Sequence, residues 1–202
     1  MRGITARLLV HELRTLHGIG LWVVRRRHGV NAGAHPAPYT GPQTALMWGF
    51  IVVSVIETIA LAVLIPWPVI HRVMLVIDVY GLFMAVGLHA ACVVRPHVVE
   101  ADGGLRIRYG ALFDLRLAAA EIQAVRVERR FPAGQVVQPC DDGSLEVIVA
   151  GQTTVVVELV APVEYVRPLG RRGTAHTVRF HADDPAALVA AVRARRTGTI
   201  AS

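Results

Sequence analysis

Two uninterrupted apolar segments, Thr44 to Ile65 and Val73 to Val94, constrain this chain more than anything else in it. A hydrocarbon core about 30 Å thick takes about 20 residues of helix at roughly 1.5 Å per residue. Each segment, at 22 residues by its end numbers, is long enough to cross once. Pro66 to Arg72 is too short for anything but a turn, so residues 44–94 read as a transmembrane hairpin. Arg2, Arg7, Arg14 and Arg25 to Arg27 precede it, and Arg95, Arg106, Arg108 and Arg116 follow, whereas the connecting loop holds only Arg72. Cationic loops stay inside, which predicts a two-span membrane protein with both termini cytoplasmic. A cleaved signal peptide does not fit, because the first long apolar run starts only at Thr44.

At 202 residues the chain has room for this hairpin and one small domain. A net charge of +6 raises nucleic acid as a partner. Arginine beside a span has a simpler cause in topology and anionic lipid, so the sequence argues against nucleic acid. All 21 basic residues are Arg, a bias that GC-rich bacterial coding produces. Cys92 lies inside the second apolar segment and Cys140 in a loop, with no CxxC partner for either, which argues against a disulfide or zinc site.

Residues 1–43 divide into a helix and a loop. Ile4 to Val24 places Arg7, His11, Arg14 and Arg25 opposite Leu9, Leu13, Leu16 and Val23, the pattern of an amphipathic helix. Two placements stay open: in the plane of the membrane surface, or packed on the C-terminal domain. His28 to Gln43, rich in Gly and Pro, is expected to hold no regular element.

The hairpin carries two acids. Glu57 lies nine positions before Pro66 and Asp78 ten after Pro68, so they sit at similar depth in an antiparallel pair. A charged acid facing lipid costs about 2.5 to 3.5 kcal/mol or more, so both are expected to face protein or water. Asp78, Gly81, Ala85, His89 and Cys92 follow a 3, 4, 4, 3 spacing that forms one small and polar stripe, a packing face for the first helix or another subunit. A proton or cation path through Glu57, Asp78 and His89, in a small oligomeric transporter component, is the competing reading. A two-helix hairpin encloses no pore by itself, which favours packing.

Beyond Val94 the period changes to two. Leu105, Ile107 and Tyr109 alternate with Arg106 and Arg108, and strands are predicted at 97–101, 105–109, 112–117, 122–128, 145–150, 153–160, 163–167 and 175–181. Phe131 to Ser144 reads as a long loop and Gly151-Gln152 as a hairpin turn. Asp183-Asp184-Pro185 supplies a capping acid and an N1 proline for a helix over 185–196, with Leu188, Val189 and Val192 inward. Residues 95–202 are therefore expected to make a mostly β, α+β domain: a curled barrel of about seven strands plugged by one helix.

This order resembles the bacterial pleckstrin-homology-like (PH-like) domains that follow a two-helix membrane hairpin. The residues that carry the likeness are Arg95-Pro96-His97-Val98-Val99, Gly104 to Gly110, Glu121 to Val125, Val155 to Leu159 with Ala161-Pro162-Val163, and Val178-Arg179-Phe180 with Asp183-Asp184-Pro185. The whole chain is also similar to actinobacterial membrane proteins without an assigned function. The resemblance implies binding or assembly, not catalysis.

Arg106, Arg108 and Arg116 are expected on an outer strand face just past the membrane exit. With Arg129 and Arg130 they form a candidate contact for headgroups or a partner, each worth about 1 kcal/mol near an anionic surface. The histidine pairs fail as metal sites: His176 and His181 are an odd number apart in one strand, and His11 and His17 do not share a helix face. No nucleophile elbow or phosphate-cradling loop is present in the sequence. The expectation is a non-catalytic interaction or assembly module without cofactor, partnered by the bilayer and by a second copy or another membrane protein.

Overall fold

The computed structural model describes residues 20–24, 28–64, 67–168 and 170–200, with side chains through Arg196. The predicted helix Ile4–Val24 and its Arg25–Arg27 flank fall mostly outside the described residues; within it, residues 20–23 are helical.

Helices α1 (Gly41–Leu64) and α2 (Pro68–Val93) are long and apolar enough to cross a membrane. Both run without interior proline, and Pro68 opens α2 at its first turn, where its missing N–H costs nothing and its fixed φ suits a helix. That start is one turn earlier than the sequence reading placed it. Arg72 consequently lies on α2 and not in the connecting loop, its Nε donating to Pro68 O at 3.1 Å. From Thr44 onward the half-buried positions of α1 are Thr44, Met47, Ile51, Ser54, Thr58 and Leu61, a 3, 4, 3, 4, 3 seam that packs on α2. No residue of α1 is buried. A core helix of a soluble protein would hide that apolar surface, so lipid or another chain must cover this one.

The hairpin rises from inside a sheet. Strand β1 (His35–Ala37) precedes it and pairs antiparallel with β2 (His97–Val99), which follows it, in the register His35↔Val99 and Ala37↔His97. The segment expected to be plain loop therefore contributes an edge strand, and an edge is where Pro36 is tolerated without an N–H. The sheet continues through β3 (Leu105–Tyr109) and β4 (Phe113–Leu117) in the order β1-β2-β3-β4.

A 3₁₀ turn over Ala119–Glu121 leads into the second sheet. Its strands are β5 (Ile122–Arg130), β6 (Val137–Pro139), β7 (Ser144–Val147), β8 (Thr153–Val166) and β9 (Arg172–Phe180), ordered β5-β8-β9-β7-β6 with β7 parallel to β9. Two sheets thus replace the single curled barrel that was expected. Strand β6 lies in the stretch read as loop, and β8 is one strand where two were expected, because a register shift between Glu158 and Val163 carries it past Pro162. The turn expected at Gly151-Gln152 falls one residue earlier, at Ala150-Gly151, with Val149 and Gln152 exchanging backbone hydrogen bonds of 3.1 Å, and β7 and β8 then lie on opposite sides of β9 instead of pairing with each other.

Ala150 holds φ at 48°, a left-handed conformation that an L side chain resists. Ala150→Gly is expected to raise stability by about 1 kcal/mol, read from denaturant midpoints of the intact protein in detergent.

Helix α3 (Pro185–Ile200) closes the domain, with Leu188, Val189 and Val192 buried as their spacing predicted. Arg193 Nη2 donates to Val125 O at 3.0 Å and Arg196 Nη1 to Gln123 O at 3.4 Å, so the helix covers carbonyls on the β5 edge. The core joins both sheets: Leu105, Ile107 and Leu115 on one side meet Val155, Val157 and Phe180 on the other.

Candidate functional site at the domain and hairpin junction

The first helix of the hairpin is capped from the far end of the chain. Gly41 N–H, at the start of α1, donates to both Asp183 carboxylate oxygens, at 3.0 and 3.2 Å. Burial pushes the Asp183 carboxyl up, but His181 and the Gly41 N–H more than offset this and hold it below the usual range. An acid at a helix N-terminus answers both the unpaired N–H groups and the dipole. Asp184 takes the role expected for this pair on α3, accepting from Ala187 N at 2.9 Å. Asp183→Ala is expected to cost about 1 kcal/mol and to speed amide exchange at Gly41, whereas Asp184→Ala should leave Gly41 unchanged; hydrogen exchange with mass detection separates the two.

Around this cap the pre-hairpin segment is sealed into the domain. Tyr39, 0% exposed, stacks on His97 with ring centroids 4.5 Å apart, and Phe180 meets the other side of His97 edge-on at 4.8 Å. The Tyr39 hydroxyl accepts from Gly110 N at 2.8 Å. Burial pushes the Tyr39 phenol well up. Both nitrogens of His97 are committed: Nδ1 accepts from Arg108 N at 3.0 Å, so Nε2 carries the proton and donates to His181 O at 2.9 Å. Burial lowers His97 to about 3. The ring is a neutral strut, since protonating Nδ1 would set two donors against each other.

Arg108 is the second strut. Only 1% exposed, it donates from Nε to Pro96 O at 2.8 Å, from Nη1 to His28 O at 3.0 Å and from Nη2 to Gly29 O at 3.4 Å. Burial lowers its guanidinium to about 10, which leaves it charged at neutral pH. One side chain therefore ties the backbone entering the hairpin to the backbone leaving it.

Beside it opens a cavity of about 230 Å³ lined by His28, Arg95, Arg106, Arg108, Asp114 and the Gly110-Ala111 turn. Arg106 grips Asp114 with Nε at 2.8 Å and Nη2 at 2.5 Å. Burial pushes the Asp114 carboxyl up and Arg106 more than reverses this, so it lies below the usual range. Arg95 Nη1 is buried without an acceptor. A broader concavity of about 640 Å³ lies toward the other end of β3 and β4, its lining including Arg106 and Arg116 together with Glu100, Asp102 and Glu121.

The predicted contact residues separate accordingly. Arg108 does not project outward: the segment around His28 and Gly29 crosses over it and supplies its acceptors, a cover that two-residue alternation does not reveal. Arg106 is half-buried and paired, while Arg116 and Arg129 are exposed. Arg130 is bound into an ion-pair face with Glu128 and Glu146, at 3.6 and 3.9 Å, where Arg126 also pairs with Glu128 and Glu158. The fixed cations of the junction are thus Arg95, Arg106 and Arg108. Arg95 is the one the sequence reading missed; its position directly after the second span was the available signal.

In the hairpin, Thr58 rather than Glu57 meets Asp78: Thr58 Oγ1 donates to Ser54 O at 2.8 Å and stands 3.4 Å from Asp78 Oδ2. Glu57 is exposed. Asp78 and Ala85 are half-buried, whereas a Cβ at Gly81 would meet nothing within 4 Å, so Gly81 lies off the intrachain seam. His89 and Cys92 belong to the junction: His89 meets Trp22 edge-on at 6.0 Å, and Cys92 lies in the domain core under Gly110. Comparison with protein-family models, with curated proteins and with solved structures finds no match.

Proposed function

We propose that this chain is an integral protein of a bacterial plasma membrane whose C-terminal β domain, of PH-like type, is a non-catalytic interaction and assembly module held at the inner membrane face. The observation that carries this reading is the insertion of the hairpin between β1 and β2, because a load on either helix passes directly into one sheet. The Asp183 cap and the Arg108 clasp stiffen that joint. Sidedness follows from the arginines that flank the spans. The open surface at Gly81 and the exposed Glu57 suit a second copy or another membrane protein, since an acid in contact with lipid is costly.

Two measurements test this. Cys92 is buried and Cys140 partly exposed, so a membrane-impermeant maleimide should label Cys140 in inverted vesicles and not in intact cells. Gly81→Leu has room within one chain, so it should leave thermal unfolding unchanged while lowering the assembled mass in mild detergent, measured by light scattering. A particle holding one 21.9 kDa chain before and after the substitution would remove the assembly role.

A further inference from the structure

We infer that the cavity between Arg95, Arg106 and Arg108 binds the phosphate of one anionic phospholipid headgroup. The inference rests on the spanning hairpin proposed above. Leu88 is the last exposed apolar residue of α2, and Arg95 follows seven positions later. That advance is about 10 Å along the chain axis if helical rise is kept, which sets the Arg95 backbone just beyond a polar zone on the order of 5–8 Å deep, at a level from which its long side chain reaches back to the headgroups. The cavity shares this level. Its Gly110-Ala111 wall lies on the end of α2, where a Cβ at Gly110 would stand 3.1 Å from Cys92 Sγ. Leu112, next in the same turn, is 43% exposed, an apolar tip at the edge where a bilayer would lie.

The charge balance points to an anion. Three guanidinium groups face a single carboxylate, Asp114, which the Arg106 fork already occupies. Arg108 is held rigid by three backbone carbonyls and serves as a fixed positive floor. Arg95 has a buried Nη1 without an acceptor, and Arg106 Nη1 is not used in the fork to Asp114. Phosphate oxygens match guanidinium geometry with paired, charge-assisted hydrogen bonds. At about 230 Å³ the cavity falls below the usual range for drug-sized ligands, which suits a headgroup whose acyl chains stay in the bilayer.

The test uses the full chain reconstituted in nanodiscs of mixed phosphatidylglycerol and phosphatidylcholine, released into the gas phase and weighed with its retained lipid. One phosphatidylglycerol per chain is expected, preferred over phosphatidylcholine about fivefold or more. Arg95→Gln should cut retention on the order of tenfold, whereas Arg129→Gln, at an exposed position away from the cavity, should not. Asp114→Asn should raise retention several-fold by freeing the Arg106 fork, a gain that misfolding does not imitate. Equal retention of the two lipids, or unchanged retention in both cavity variants, overturns the inference. Displacement of the lipid by millimolar glycerol 1-phosphate would assign the cavity to a soluble phosphate ester and overturn the headgroup assignment; no displacement supports it. Failure of the chain to enter the bilayer overturns the spanning reading and this inference together, while entry without lipid preference overturns this inference alone.

Discussion

Arg108→Met is expected to destabilise the protein by about 2–4 kcal/mol, one of the two largest effects anticipated for this chain. The substitution keeps much of the side-chain volume but leaves the Pro96 carbonyl without its donor in a buried site, while the carbonyls of the exposed His28 and Gly29 lose theirs where water can reach. A buried acceptor left without its partner costs about 1–3 kcal/mol, which the Pro96 carbonyl bears in full, and the two outer carbonyls add smaller amounts. Lysine is expected to restore less than half of the loss, because a single ammonium does not reach acceptors spread around a planar fork. Chemical denaturation of the intact protein in mild detergent measures both. A loss under about 1 kcal/mol for Arg108→Met would show that the clasp closes the joint without stabilising it.

Acid is expected to open the same joint. Burial pushes His97 down to about 3 in the folded protein, while a histidine in the unfolded chain keeps its ordinary value near 6.5. Between those values the unfolded chain holds a proton that the native chain refuses, so stability falls as pH drops through 6.5 and stops falling near 3. The slope reaches about 1.4 kcal/mol per pH unit, and the loss from this group alone is about 2–3 kcal/mol by pH 4.5. Asp183, held below the usual carboxylate range, adds a loss at the acid end of the window, since its contribution is present above the unfolded carboxylate value and disappears as it protonates. His97→Gln retains one donor and one acceptor, so it should flatten the profile between pH 6.5 and 4.5 at some cost in stability at pH 8. An unchanged slope in that variant would mean that other groups govern the acid transition.

What the sequence made visible follows from how local each signal is. The two long apolar helices were visible because an apolar run of bilayer length needs no partner to be recognised, and helix α3 because Asp184, Pro185 and the Leu188, Val189, Val192 spacing lie within one short window. Strand β1 stayed hidden: three residues among prolines and glycines become a strand only because Val98 and its neighbours, some sixty positions on, present an edge. Arg108 was misplaced for a related reason. Alternation put it on the outer face correctly, but the chain that covers this face comes from before the hairpin. The joining of β8 across Pro162 depended on β9, whose register resumes at Val163↔Ala175. The arginines proposed for headgroup or partner contact differ in how far they are already committed, because that depends on carboxylates such as Glu128 and Glu146 that sequence distance does not pair with them.

The pairing of β1 with β2 also sets an order on biogenesis. The ribosome releases the first strand before either span exists, and its mate emerges only after both have been made. Until then β1 has nothing to bond, so a chain whose two apolar helices fail to pair presents an unmatched strand to quality control. A fragment begun at Arg95 would inherit the same defect, lacking Tyr39 and β1. Joining Thr40 to Val94 through a short glycine-serine bridge keeps both and should release the domain as a water-soluble product.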